Sequence, residues 1–480
     1  MALINRNIIQ KQIIDININA SVNEFEIQND VENLCRLKLK SGLEKLMLKY
    51  DSLEDIVRID LLFAEVEYNS LADFQNLFAE KVLAEIEKQL NEKISHSKTG
   101  IEDQSYSKAD NLIRTFNFYI RHGFLPWWSS IKTSSDWQEL LSRLFSEENK
   151  VSDWSVLYPS LKEKQVRTRL SVILNFQQFW KLIDCLSSAD LAGLKADYEI
   201  IQKNFKDVRQ QYAFGLFFKD LLLYKIGESR QNHNLFDSFS DILVNGLENE
   251  YPEVISSEVI LNKIKTPELK KSLVKKAKET RDNLFKLSVG NNTPDRTIIE
   301  KTKPTDSGHE QQISQKVIDE IYINNAGLII VSAFLPVFFK DIKLLSKTGI
   351  LDANKAIAVL HYMVTGLDEY YEFEVVLPKI LCGLEISDPV EGYKLSRKEK
   401  FKVNELLESI IEHWTVLKST STEGLRSAFF QREGKLTFEN NNWYLKVRQE
   451  SYDMLISHIP WNISLIKLTW MKSMLHAEWM

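Results

Sequence analysis

Carboxylates, lysines, histidines and cysteines at short spacing are the first places to look for chemistry in this chain. Asp368-Glu369 and Glu372-x-Glu374 gather carboxylates in one short stretch. Such groups do acid–base work only when they face one another in environments that drive their pKa values apart. Sequence shows neither condition, and a solvated loop between two helices explains the cluster equally well. The eight histidines are scattered. His361 and His413 fall on helical stretches without an i,i+4 histidine or carboxylate–histidine set, which favours structural histidines over metal ligands. Cys35, Cys185 and Cys382 lie far apart. They give neither a disulfide framework nor a CxxC pattern, and they fit a reducing cytoplasm. Lys270, Lys271, Lys275, Lys276 and Lys278 run up to Arg281, but Glu268 and Glu279 dilute them and no aromatic interleaves. A nucleic-acid reader needs stacking rings or a reading helix as well, so a solvent-facing helix side is favoured. GxSxG, GxxxxGK[ST], HExxH and GxGxxG are all absent. The expectation is therefore no catalytic residue, no metal set and no cofactor, and a function carried by protein surfaces.

If the chain works by contact, its aromatic and arginine anchors are the candidates. Interface anchors favour Trp and Arg, and indoles combine a large apolar area with a hydrogen-bond donor. One group is Pro126, Trp127 and Trp128, where a helix end pinned by two indoles is the simpler reading. The other is C-terminal: Trp414, Arg426, Phe430, Arg432, Pro460, Trp461, Trp470 and Trp479. Most of these aromatics should build a core. The terminus itself, with Trp470, Met471, Met474 and Trp479, either folds back on its own domain or docks on a partner.

The elements that must position these residues follow from composition and periodicity. With 480 residues, 44% hydrophobic and 27% charged, the chain can bury several cores. Only 16 glycines and 10 prolines are present, which suits long helices better than a sandwich or barrel. A net charge of −6 argues against a dedicated nucleic-acid binder. The N-terminus lacks the basic stretch and apolar core of a secretory signal. The most apolar run, Ala326–Phe339, is shorter than the ~20 residues needed to span a bilayer and is read as a buried core helix.

Four regions are expected. Residues 1–95 form a small α+β module in β-α-β-α order. Ile14, Ile16 and Ile18 alternate with polar residues, as do Val57, Ile59, Leu61 and Phe63, the period of half-buried strands. Val31, Cys35, Leu39, Leu43, Leu46 and Tyr50 mark one helix face. Phe74, Phe78, Val82, Ile86 and Leu90 mark another, with Ser70 as its cap. Residues 107–288 read as a helical middle region, 289–315 as a flexible linker, and 316–480 as an α-rich C-terminal domain with an aromatic tail. Within the last, helices are predicted over 316–346, 353–366, 397–418 and 422–431. A hairpin is predicted across Glu439–Asn442, then a helix over 449–458 and an edge strand or tail over Ser464–Trp470. The fold class is mainly α.

The order of residues at both ends resembles the contractile injection system tape measure proteins of phage-tail-like particles. The C-terminal part of the likeness is Ile411-Glu412-His413-Trp414, Leu425-Arg426, Phe429 to Leu436, and His458-Ile459-Pro460-Trp461 to Trp470-Met471. The N-terminal part is Ile8-Ile9-Gln10-Lys11-Gln12, Leu34-Cys35, Arg58-Ile59-Asp60 and Gly123-Phe124-Leu125-Pro126-Trp127-Trp128. The resemblance implies a non-enzymatic assembly protein that sets or terminates inner-tube length, bridging the baseplate or spike end and the tube tip or cap. The alternative is a helical adaptor or chaperone-like scaffold for cap or effector proteins that measures nothing. Implied partners are the inner-tube, baseplate hub or spike and cap proteins, with self-association also open, no nucleic acid and no stable membrane insertion. The implied location is the bacterial cytoplasm during assembly, or the tube lumen of the finished particle. Residues 131–288 drawn out as one helix would reach about 230 Å, and the whole chain roughly 700 Å, at ~1.5 Å per residue.

Overall fold

Helical periodicity dominates the chain, and helices dominate the fold. The computed structural model describes residues 7, 9–10, 12–18, 24–50, 56–59, 61–97, 104–146, 154–187, 189–228, 235–250, 258–276, 278, 318–347, 349–417 and 419–479. Residues 289–315, expected as a linker, lie outside the described residues. The chain divides into two compact units: residues 1–116 with 126–153, and residues 117–125 with 154–480.

In the first unit, Glu24–Leu34, the π-helical turn Cys35–Leu39 and Lys40–Leu48 run on from one another. They pack on the helix Leu71–Ser97. Leu39, Phe74 and Phe78 are buried where they meet, with Val31, Leu43, Val82 and Leu83 around them, which is the pair of stripes the sequence marks. Ser70 does cap the second helix, its Oγ accepting from the Asp73 amide at 3.1 Å. The strands differ from expectation. Residues 12–18 belong to no strand, and Ile14, Ile16 and Ile18 are exposed. The second strand shrinks to β1 (Ile56–Arg58), paired antiparallel with β2 (Gln104–Tyr106). Alternation alone does not make a strand: a ladder partner must satisfy its backbone. Thr133 opens the helix Ser134–Leu144 with a reciprocal capping box to Asp136, and Trp137 of that helix stacks on Phe116.

The second unit contains the helices Lys164–Ile173, Phe176–Leu186, Ala192–Gln202, Val208–Glu228 and Leu235–Glu250. Phe179, Tyr198, Phe214, Phe218 and Phe239 are buried in their shared core. Tyr198 stacks on Phe176 and Phe214, and Phe239 meets Phe218 edge-on. Its C-terminal portion holds a five-stranded sheet in the order β3-β4-β5-β7-β6. The strands are β3 (Ile318–Ile323), β4 (Gly434–Glu439), β5 (Asn442–Val447), β6 (Leu465–Ile466) and β7 (Leu475–Glu478). All pairs are antiparallel except β5–β7.

The predicted hairpin is β4–β5. Asn440 and Asn441 at its tip both take positive φ, 50° and 62°, the left-handed two-residue turn that matches strand twist. The helix predicted from residue 316 is a correction: 318–323 is strand. Ile321 and Ile323 are buried while Tyr322 between them is exposed, a period of two hidden by the apolar run that follows. That run is a 3-10 helix, Ala326–Phe334, continuing into the α-helix Leu335–Asp341. It is the centre of the core, with Leu328, Ile329, Ile330 and Val331 fully buried. A side chain on Gly327 would strike the Phe429 carbonyl, so the small residue there lets two backbones touch. The helices Ala353–Thr365 and Arg397–His413 complete this layer. Residues 449–458, predicted as a helix, contain the 3-10 helix Asp453–His458.

Candidate functional site

Lys379 stands inside the apolar stretch Val375–Cys382, on the helix Val376–Leu381. Its ammonium is buried and donates to Glu372 Oε1 at 2.5 Å and to the Ile386 carbonyl at 2.9 Å. Glu372 also receives Arg169: Nε to Oε2 at 2.6 Å and Nη2 to Oε1 at 2.9 Å. Arg169 comes from the helix Lys164–Ile173 and donates further to the Ser387 carbonyl at 2.7 Å and to the Ile120 carbonyl. The two cations exceed the single carboxylate, and carbonyl oxygens of Ile120, Ile386 and Ser387 take up the excess. Burial lowers the Lys379 pKa, opposed by Glu372. Burial, with Glu372 next, drives the neighbouring Tyr119 phenol well up. Gly123, at φ 79°, closes the cluster: an added Cβ would lie 2.5 Å from Glu372 Oε1 and 2.9 Å from the Ile386 carbonyl.

A second ion pair, between buried Arg432 and half-buried Asp453, organises the C-terminal tail. Arg432 grips Asp453 at 2.9 and 2.6 Å, and also donates to the carbonyls of Ala428 and Arg448. The Trp479 indole donates to the same Asp453 carboxylate at 3.1 Å, and the Arg432 guanidinium lies over its ring. Burial alone would raise the Asp453 pKa, but hydrogen bonds from Arg432, the Glu450 amide and Trp479 outweigh it and hold the carboxyl below its usual range.

The other anchors are equally engaged. Trp414 is fully buried and donates to the Leu455 carbonyl at 3.1 Å. Trp461 donates to the Ile330 carbonyl at 2.9 Å and meets Phe334 edge-on. Trp470 donates to the Leu381 carbonyl at 2.8 Å. Arg426 binds the Met363 carbonyl, Asn404 and Glu423. Phe430 is fully buried, whereas Pro460 is exposed. In the first unit Pro126 is buried, Trp127 and Trp128 meet edge-on, and the Arg58 guanidinium lies 4.1 Å above the Trp128 ring. The terminus thus folds back on its own domain.

Sequence reasoning missed Arg169 and Asp453 as partners, and treated Glu372 as loop acid. The available signal was Lys379: a lysine in an apolar run is almost never buried without a carboxylate. His361 is buried in the helix Ala353–Thr365, and burial lowers its pKa to about 4 against a hydrogen bond to the Glu369 backbone. Lys219 donates to the Ser171 and Leu174 carbonyls at the end of the helix Lys164–Ile173, and burial lowers its pKa to about 8. Among the described residues, no helix is long and apolar enough to cross a membrane.

These clusters bind backbone and side chains of the chain itself. They join distant segments of a mainly α fold through buried charge. The chain belongs to the contractile injection system tape measure protein family, whose sequence profile matches residues 6–479. Neither a curated protein nor a solved structure matches it.

Proposed function

We propose that this chain sets or terminates the length of the inner tube of a contractile injection particle, bridging the baseplate or spike end and the tube tip or cap. The observation that carries this reading is the extent of the family match, which takes in both ends and the helical middle as one unit. Its partners on this reading are the inner-tube protein, the hub or spike and the cap. It assembles in the bacterial cytoplasm and ends in the tube lumen.

Physical reach decides how it would act. Val208–Glu228, a long middle helix of 21 residues, covers only about 32 Å at ~1.5 Å per residue. Measuring by contour therefore requires the second unit to open, whereas terminating a tube does not. The same short, packed helices favour the second reading, a helical adaptor or scaffold for cap or effector proteins. Graded deletions and duplications within residues 190–276, sparing Arg169, separate the two when tubes are measured by electron microscopy. Lengths that scale with the change support the ruler. Tubes of unchanged length exclude measuring by contour. Removal of the whole chain then separates termination, which predicts tubes of unregulated length, from the adaptor, which predicts tubes of normal length.

A further inference from the structure

The first unit leaves large apolar side chains in water along a stretch that has the period of a strand. From Leu61 to Tyr68 exposure alternates residue by residue. Leu61 and Phe63 are 71% and 64% exposed, while Leu62, Ala64, Val66 and Tyr68 are half-buried. The far end of the segment is fastened to the helix Leu71–Ser97. The Tyr68 hydroxyl donates to the Phe78 carbonyl at 3.3 Å, Lys81 donates to the Glu67 carbonyl at 3.1 Å, and the Tyr68 ring meets Phe74 edge-on. Period-two exposure is that of a strand lying on a surface. Yet among the described residues no ladder partner pairs with 61–68, and the sheet described in this unit is β1–β2, three residues on each side. So short a pair is marginal by itself.

Exposed strand edges are normally defended by lysine, proline or a bulge, because they otherwise capture another chain. Residues 61–68 contain no Lys, Arg, Pro or Gly, and neither do residues 12–18, where Ile13 is 68% exposed. Every charge in the two segments is negative: Asp15, Glu65 and Glu67. None of the three has an ion-pair partner among the described residues. We propose that residues 61–68 accept a strand from another protein by edge addition, and that this strand carries Lys or Arg among apolar residues. Backbone hydrogen bonds would supply affinity, Leu61 and Phe63 the apolar contacts, and Glu65 and Glu67 the selection by charge. A second copy of this chain is the poorer occupant, since it would bring an acidic edge to an acidic edge. The proposal does not depend on whether the chain measures tube length.

The test places the photo-crosslinking residue p-benzoylphenylalanine at Phe63 of the full chain, in cells assembling the particle, with crosslinked peptides identified by mass spectrometry. The expected product joins Phe63 to one segment of another particle protein containing Lys or Arg within a strand. Paired Glu65→Lys and Glu67→Lys should lower the yield about tenfold through like-charge repulsion, while the circular dichroism and melting of the purified chain stay unchanged. Glu65→Gln with Glu67→Gln, which removes charge without reversing it, should lower the yield by less. Crosslinks to this chain itself, to a segment without basic residues, or to nothing overturn the proposal. So does a yield indifferent to both pairs of substitutions.

Discussion

Arg169 and Glu372, 203 positions apart in sequence, form a two-point ion pair at 2.6 and 2.9 Å with both side chains out of water. Lys379 reaches the same carboxylate from seven residues further along the chain. The helical middle and the C-terminal portion of the second unit are thereby joined through one acid.

Glu372→Gln should be the most damaging conservative change in this unit. It leaves two buried cations facing a neutral amide, and breaking a buried pair from one side costs about 3–5 kcal/mol. Urea denaturation of the purified chain should show that loss. A cost near zero would mean that the carbonyls of Ile120, Ile386 and Ser387 suffice without the carboxylate.

Gly123→Ala combines a left-handed backbone with a Cβ driven against Glu372 Oε1. Left-handed φ alone costs a non-glycine residue about 1–3 kcal/mol. The substitution should destabilise by at least that much. It should also be non-additive with Glu372→Gln, because both disturb the same cluster. A double-mutant cycle by chemical denaturation measures the coupling, and simple additivity contradicts it.

Trp461→Phe and Trp470→Phe each keep a ring and remove one N–H donor. Each leaves a carbonyl, of Ile330 or Leu381, without the indole that now satisfies it. A loss of about 1–3 kcal/mol per site is expected. Equal stability of the phenylalanine forms would show that these indoles are spare rather than structural.

His361 should make the fold acid-sensitive. Its folded pKa, about 4, lies below the ordinary 6.5, so between those values the unfolded chain binds a proton that the folded one refuses. Stability should therefore fall as pH drops from about 6.5 towards 4. The wild-type minus His361→Phe difference, followed by denaturation from pH 7 to 5, isolates this histidine from carboxylates that titrate lower. A difference that does not change with pH removes it as the cause.

Local signals carried far where an element could be built from neighbours alone. The stripes of the first unit, the Ser70 cap, the helices Ala353–Thr365 and Arg397–His413, and the Asn440-Asn441 turn all follow from spacing and residue type. The strand β3 was not legible, because its partner β4 lies more than a hundred residues away and its own pattern merges with the apolar run after it. Residues 12–18 show the opposite failure, a strand pattern that joins no ladder among the described residues.

Sequence by itself determined a mainly α chain, its family-like ends, and the absence of familiar catalytic motifs, since these depend on periodicity and residue order along the backbone. Tertiary structure alone decided that Arg169 belongs with Glu372 and Lys379, that Arg432 belongs with Asp453 and Trp479, and that the aromatic tail lies on its own domain. Burying a charge is costly unless a partner is already in place, and which partner arrives is set by packing across hundreds of residues, which no local pattern encodes.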